Sequence, residues 1–445
     1  MTNELKVWMN GELVGTWARP RGGSHRFTYE ASWLESERSR PLSLSIPITA
    51  GAREVRGGAV ENYFDNLLPD NEAIRKRLQA RFRTDGVQAF ELLSAIGRDC
   101  VGAVQLLPPG AEPTGFDTIA AKPLSNAAIE KLLRDVVVAV GLGGADSGDF
   151  RISIAGAQEK TALLRHKGKW CLPQGMTPTT HIFKLPLGLI AGGQLDLRDS
   201  VENEWLCMQF LRSMRLPTPQ VDIADFGEQK ALVVKRFDRA FIDKEDGGKW
   251  IARLPQEDFC QATGTPPSQK YESDGGPGIA ASLTLLSSST FAETDKMLFA
   301  CAQLVFWLLA APDGHAKNFS IFLLPGNAFE MTPFYDVLSA WPVIGKGAGK
   351  RPYQDVKLAM GLKAKSMHRA MQEVQPRHWR SLAAQTGNDA TWPYMLQIVQ
   401  DAPAGIDALL NKLPEGFPDQ VATSIAEGIK KHCRIFQAAL KAAAI

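Results

Sequence analysis

The stretch from Leu298 to Ala311 is apolar except for Gln303, and it breaks abruptly into Pro312-Asp313-Gly314-His315-Ala316-Lys317-Asn318. A run like this asks for burial on every side, so the chain must build a sizeable core around it; it falls short of the ~18 residues a membrane span needs. A buried helix thus delivers polar residues into a loop. Asp313 and Asn318 stand five apart, the spacing at which a phosphoryl-transfer loop sets a proton-accepting Asp and a metal-holding Asn around one centre. Either residue alone is also an ordinary turn cap, so the flanking sequence has to decide.

The continuation favours the chemical reading. Phe319 to Leu324 has the alternation of a strand, Pro325-Gly326-Asn327 that of a turn, and Ala328 to Tyr335 that of a returning strand that stops at Asp336. A hairpin of this kind brings Asp336 back beside Asn318. Two hard oxygen donors next to a candidate base suit Mg²⁺, which keeps several waters and binds through few protein ligands.

Composition narrows the setting. The 445 residues suggest about two or three domains, and 44% hydrophobic content suffices for folded cores. Lys plus Arg number 50 against 48 Asp plus Glu, so no global field favours nucleic acid or anionic lipid and any polyanion contact must be local. Cys100, Cys171, Cys207, Cys260, Cys301 and Cys433 are scattered, with no CxxC pair and no His at zinc-ligand spacing. They read as reduced, buried thiols. With no cleavable signal ahead of the first strand-like segment, a cytoplasmic protein with no membrane partner is expected.

Three segments follow from the pattern of periodicities. Residues 1–110 mix short alternating runs, Lys6 to Met9 and Leu42 to Ile46, with a helical stretch from Asn71 to Phe82, and read as a small α/β module. Residues 111–256 carry strand-like runs at Thr161 to Arg165, His181 to Leu185 and Ala231 to Val234, with an amphipathic helix near Glu202 to Met214. Residues 257–445 are mainly helical; the last helix repeats Ile425, Ile429, Cys433, Phe436 and Leu440 along one face. Breaker clusters stand at Pro108 to Pro113 and at Gly141 to Gly148, and no repeat suggests a solenoid.

Further candidates lie in the middle segment. Strand alternation sends Phe183 and Leu185 to one face and Lys184 to the other, where an ammonium on an apolar strand calls for an anion such as a nucleotide's phosphates. Glu204, or else Glu202, on the next helix is the group to orient it; a solvated edge lysine is the alternative. Ser153 to Lys160 is a small-residue loop whose backbone N–H groups suit phosphate. It is not a Walker loop, because that pattern needs Gly where Ile154 and Glu159 stand, and a dinucleotide fingerprint fails at Asp146. Ala231 to Val234 ends at Lys235-Arg236-Phe237-Asp238, either a hinge for adenine or a plain core strand.

These residues resemble a known family. Arg151-Ile152-Ser153-Ile154-Ala155-Gly156-Ala157-Gln158-Glu159-Lys160-Thr161, His181-Ile182-Phe183-Lys184-Leu185-Pro186, Leu254-Pro255-Gln256-Glu257-Asp258, Tyr271-Glu272-Ser273-Asp274-Gly275-Gly276-Pro277-Gly278 and Asp313 to Asn318 together look like HipA kinases. Phe64-Asp65-Asn66-Leu67-Leu68-Pro69 and Ile96-Gly97-Arg98-Asp99 extend the likeness over essentially the whole chain. The resemblance implies a two-lobed fold related to protein and phosphatidylinositol kinases, an α+β N-terminal lobe with a mainly α-helical C-terminal lobe. It implies ATP and Mg²⁺ as cofactors, Asp313 as the base, and Asn318 and Asp336 on the metal. Ala155, Gly156, Ala157, Gln158, Glu159 and Lys160 would cover the phosphates and Lys184 grip them. Lys235, Arg236 and Phe237 would take the adenine, with His315, Lys317 and Tyr335 beside the nucleotide.

The family further implies a toxin that autophosphorylates the serine matching Ser153 and thereby silences itself. A doubly charged phosphate there would repel the nucleotide's own. It implies glutamate-tRNA ligase as target, a HipB-type antitoxin as partner, and operator DNA bound through that pair. Two positions depart from the pattern: Pro312 precedes Asp313 where Thr is expected, and Lys235 stands where an acidic residue can occur. Proline fixes φ without removing the carboxylate. A kinase-shaped corepressor and a small-molecule kinase are the competing readings; the joint presence of Asp313, Asn318, Asp336 and Lys184 argues against a dead kinase, whereas the fold alone does not choose a substrate. The basic run Lys346, Lys350, Arg351, Lys357, Lys363, Lys365 and Arg369 reads as a solvated surface, with nucleic acid as the alternative.

Overall fold

A computed structural model describes residues 3–137, 158–190 and 195–442. Ser153, Ala155, Gly156 and Ala157 lie outside the described residues. The chain divides into two compact units, each built from three separated segments: 1–185, 224–269 and 320–329 form the first, and 186–223, 270–319 and 330–445 the second.

The first unit is built on sheets. Glu54–Arg56, Arg26–Tyr29, Glu12–Ala18, Glu4–Met9 and Val104–Leu107 form an antiparallel sheet in that spatial order. Alternating residues Leu5, Val7 and Met9 face a core with Trp17, Phe27 and Phe64, where the Trp17 and Phe64 rings stack at 3.8 Å. The helix Glu72–Phe82 starts at Asn71, whose side chain accepts from Ala73 N at 2.8 Å and satisfies one of the free first-turn N–H groups. Leu42 to Ile46 is a turn rather than a strand, closed by Ile46 N donating to Ser43 O at 2.9 Å. Pro41 and Pro47 bracket it and withhold the N–H groups a ladder needs.

The second sheet runs Val221–Phe226, Gln229–Lys235, His181–Lys184, Lys160–His166, Lys169–Pro173 and Ala121–Pro123. Phe183, Leu185, Leu163, Ala231 and Val233 pack on one face against Ile129 and Leu133 of the helix Asn126–Val137. Period-two alternation puts Lys184 on the opposite face, as expected.

The second unit is mainly helical, and the fold class is the expected one. From Phe299 onward the helix Ala292–Leu308 is buried on all sides, as its continuous apolar run demands. Trp307 stacks on His432 of the last helix at 4.1 Å, and Ile425, Ile429, Cys433 and Phe436 are that helix's buried stripe. All six cysteines are buried thiols outside any disulfide. Among the described residues no helix is long and apolar enough to cross a membrane.

Candidate active site

The helix Ala292–Leu308 ends in a tight cap. Ala310 N donates to Trp307 O at 3.0 Å and Ala311 N to Phe306 O at 2.8 Å, with Ala310 in the left-handed region at φ 48°. The reversal turns Pro312 to Asn318 out of the core. Gly314 is required there, since a Cβ would lie 2.5 Å from the buried Phe306 ring. His315, Lys317 and Asn318 are buried while the Asp313 side chain is 52% exposed, so the loop presents one carboxylate from a fixed base.

Asn318 Nδ2 donates to the Asp313 carbonyl at 2.7 Å, which uses the donor end of the amide and leaves Oδ1 as the end suited to a cation. Tyr271 donates its hydroxyl to Asp313 Oδ1, and His315 Nε2 lies 3.8 Å from the same oxygen.

Asp336 is brought to this loop by ties on both sides of it. The Tyr335 hydroxyl donates to Lys317 O at 3.0 Å. Beyond it, the Ser339 hydroxyl bonds Leu309 O at 2.5 Å and Ala340 N donates to Ala310 O at 3.0 Å. Asn203, on the helix Ser200–Ser213, exchanges two 2.8 Å bonds with the Ser339 main chain. Asp336 itself adopts φ 62°, a conformation that Asp tolerates better than most residues and that recurs at functional sites. The returning strand is shorter than expected, Phe329–Met331 rather than Ala328 to Tyr335, because Pro333 has no N–H to extend the ladder. Asn318 and Asp336 offer hard oxygens suited to Mg²⁺.

Within the first unit, the ladder sets Lys160 directly opposite Lys184, and Lys184 opposite Leu232. Lys184 is only 6% exposed. Two ammonium groups in cross-strand register repel unless anionic charge accompanies them. The stem of the preceding loop is fastened to this strand pair: Gln158 Nε2 donates to Leu185 O at 2.5 Å and Leu185 N to Glu159 O at 3.2 Å. Glu159, expected over the phosphates, has its carboxylate paired with Arg77 of the helix Glu72–Phe82. Glu202 and Glu204 are both buried on the helix Ser200–Ser213 of the second unit.

The expected hinge is only partly free for a ligand. Arg236 was expected beside adenine, yet its guanidinium bonds Asp238 at 2.7 and 2.9 Å, Thr179 Oγ1 at 3.0 Å and Cys100 O at 2.8 Å, and its N–H donates to Thr180 O. It belongs to a buried cluster with Asp99, Asp238, Arg239 and Arg253. Burial pushes the Asp99 carboxyl upward, but Arg239, Arg236 and Arg253 outweigh it and hold the group well below the usual range. Lys235 is exposed at the strand end opposite His181, and Phe237 packs edge-on against Phe322 at 5.8 Å. Burial lowers the His181 imidazole to about 4, with Lys235 and Arg165 adding to the effect.

Local pattern missed Tyr271 and Asn203, whose partners lie 42 and 136 residues away in sequence. Tyr271 opens the stretch Tyr271 to Gly278, in which the sequence pattern assigns it no role. In the basic run, Arg369 is not a free cation, because Glu272 accepts from its Nη2 at 3.0 Å and from its Nε at 3.1 Å.

Residues 152–409 match the HipA-like C-terminal domain and residues 5–107 the HipA N-terminal domain. Y4mE of Sinorhizobium fredii, a protein named as a kinase, is 32% identical over 392 residues, 86% of either chain. The serine/threonine-protein kinase toxin HipA of Shewanella oneidensis is 28% identical over 327 residues, 70% of this chain and 69% of its own. The solved complex of the Shewanella oneidensis toxin–antitoxin system, HipA and HipB with operator DNA, contains a chain of like fold, with a TM-score of 0.77 at 22% identity over 98% of each chain.

Proposed function

The chain belongs to the HipA family, and from that premise we propose that it is a serine/threonine-protein kinase toxin dependent on ATP and Mg²⁺. The observation that carries the reading is the double fastening of the Asp336 segment to the loop of Asp313 and Asn318, through Tyr335 to Lys317 and through Ser339 and Ala340 to Leu309 and Ala310. Bound MgATP supplies the transferable phosphoryl group and the charge that neutralises it. Asp313 accepts the proton of the attacking seryl hydroxyl. Asn318 Oδ1 and the Asp336 carboxylate hold the cation, while Lys184 and Lys160 neutralise phosphate oxygens. His315 and Lys317, buried in the loop, and Lys235 and Phe237 at the hinge complete the nucleotide's surroundings.

The regulatory reading rests on family likeness. Ser153 takes a phosphate from the chain's own active site and is thereby silenced, glutamate-tRNA ligase is the cellular acceptor, and a HipB-type antitoxin restrains the toxin in the cytoplasm and carries it to operator DNA. The test is incubation of purified protein with labelled ATP and Mg²⁺. The peptide containing Ser153 is expected to gain about 80 Da, and Asp313→Asn to lower the incorporation rate ~100 to 10,000-fold. An Asp313→Asn protein that labels itself like its parent overturns the assignment of the base. Transfer to glutamate-tRNA ligase, assayed beside small-molecule acceptors, decides the substrate class.

A further inference from the structure

Asp313 receives both of its contacts on one oxygen. Tyr271 donates to Oδ1, and His315 Nε2 stands 3.8 Å from that same atom. The second oxygen carries neither contact, on a side chain that is 52% exposed. A carboxylate without such a tether rotates about its terminal torsion, which is broad and roughly two-fold, and presents either oxygen. A donor fixed on Oδ1 removes that freedom.

Tyr271 is itself held at its ring and on both flanks. Its ring meets His315 edge-on at 4.9 Å, with Lys270 Nζ 5.5 Å from its centroid. Ala316 N donates to Lys270 O at 3.2 Å, which joins the tyrosine's segment to the loop it serves. On the other flank the Glu272 carboxylate, 15% exposed, accepts from Gly361 N at 2.7 Å and from the Arg369 guanidinium. Asp274 N and Gly276 N both donate to Tyr271 O at 3.0 Å, so the turn after the tyrosine closes on its own carbonyl. Gly278 is glycine because a Cβ there would lie 1.9 Å from Glu272 Oε1. The segment Tyr271 to Gly278 is therefore a bracket anchored on the strand Lys357–Lys363 and on the strand Met367–Ala370, with the phenol at its tip.

We infer that Tyr271 is a positioning residue for phosphoryl transfer: it clamps Asp313 Oδ1, leaves the other oxygen for the acceptor hydroxyl, and is itself braced by Glu272. The inference rests on the kinase reading above. Its step is a proton transfer alone, from the acceptor hydroxyl to the oxygen of Asp313 that the phenol does not hold, while the acceptor oxygen bonds to phosphorus and the bond to the departing ADP breaks.

The experiment follows self-labelling as a function of ATP concentration in the full chain. Tyr271→Phe keeps the ring on His315 and removes only the hydroxyl. It is expected to lower the maximal rate roughly 10- to 100-fold while half-saturating ATP stays within about twofold, the signature of an interaction used in the transition state. In the Asp313→Asn background the same change is expected to have no further effect, because the two act as a unit. A Tyr271→Phe protein as fast as its parent overturns the inference, and so does one whose rate loss comes with a matching rise in half-saturating ATP or adds in full to that of Asp313→Asn. A parent protein that transfers no phosphate sinks the kinase reading and this one together; that result is read in the parent alone and is distinct from failure of the variant.

Discussion

Asp313 and Asp99 are both aspartates set in short polar motifs, yet the molecule treats them in opposite ways. Asp313 is half exposed and meets one phenol and one imidazole on a single oxygen. Asp99 is buried, its Oδ1 bonded to Arg239 and Arg253 and its Oδ2 to the Thr179 hydroxyl at 2.7 Å. The first arrangement keeps a carboxylate steady and accessible. The second spends every lone pair on structure. Strongly displaced titration often marks a functional site, but here it marks the cluster that joins residues 99–102 to 236–253 within one unit. On the assignment proposed for Asp313, accessibility with a single-sided tether is the better pointer to chemistry.

Replacing each aspartate by asparagine tests the contrast most severely. Asp313→Asn is expected to cut phosphate transfer ~100 to 10,000-fold and to leave the urea midpoint nearly where it was. Asp99→Asn takes from Arg253 its carboxylate partner and leaves Arg236 and Arg239 to share Asp238, and is expected to cost about 3–5 kcal/mol of unfolding free energy, read from denaturant titration. Equal midpoints for the two variants would break the comparison.

The pH dependence of stability sharpens it. Asp99 has a depressed folded value, so its contribution is whole above about pH 4, the unfolded carboxylate range, and drains away as pH falls below that. Glu257 runs the other way. It is buried, accepts from Leu44 N at 2.9 Å, and is pushed up to about 8 by burial. Its stabilising protonated form is complete below the ordinary glutamate value of about 4.3 and is lost as pH rises towards 8. Urea midpoints taken between about pH 5 and 8 should therefore decline in the parent and decline less in Glu257→Gln, by an amount on the order of a few kcal/mol.

Smaller effects are expected where backbone geometry carries the loop. Gly314→Ala drives a methyl group into the Phe306 ring and should cost about 1–3 kcal/mol, with partial recovery on trimming Phe306 to Leu. Ala310→Gly relieves a left-handed alanine at the helix end and should raise stability by about 1 kcal/mol in the same titration. If Gly314→Ala instead matched Asp99→Asn in cost, the loop would be as deeply structural as the buried cluster.

What the sequence made legible was local. The apolar helix, its break at Pro312, the strands flanking Pro325 to Asn327 and the opposed faces of Phe183 and Lys184 all follow from composition and periods of two or 3.6 residues. The family was legible because its motifs are spread over the chain. Long-range pairings were not, since nothing in the spacing of Tyr271 indicates Asp313, and nothing in that of Asn203 indicates Ser339. Arg236 misled for the same reason. The family likeness sets it at a hinge for adenine, and only the fold reveals Asp238, Thr179 and the Cys100 carbonyl around it. At Leu42 to Ile46 the alternation was real, but the bracketing prolines overrode it.

The path of the chain through its two units has a consequence for synthesis. The strand His181–Lys184 acquires its neighbour Gln229–Lys235 only after residues 186–223, which belong to the other unit, have been made, and the first unit is closed only by residues 320–329. At the ~5–20 residues per second of a ribosome, the half-built unit waits roughly seven to thirty seconds after residue 185 for its last segment. Neither unit can be excised as one continuous fragment. A graft between relatives must exchange three pieces together, and a nascent chain stalled before residue 320 leaves both units unfinished.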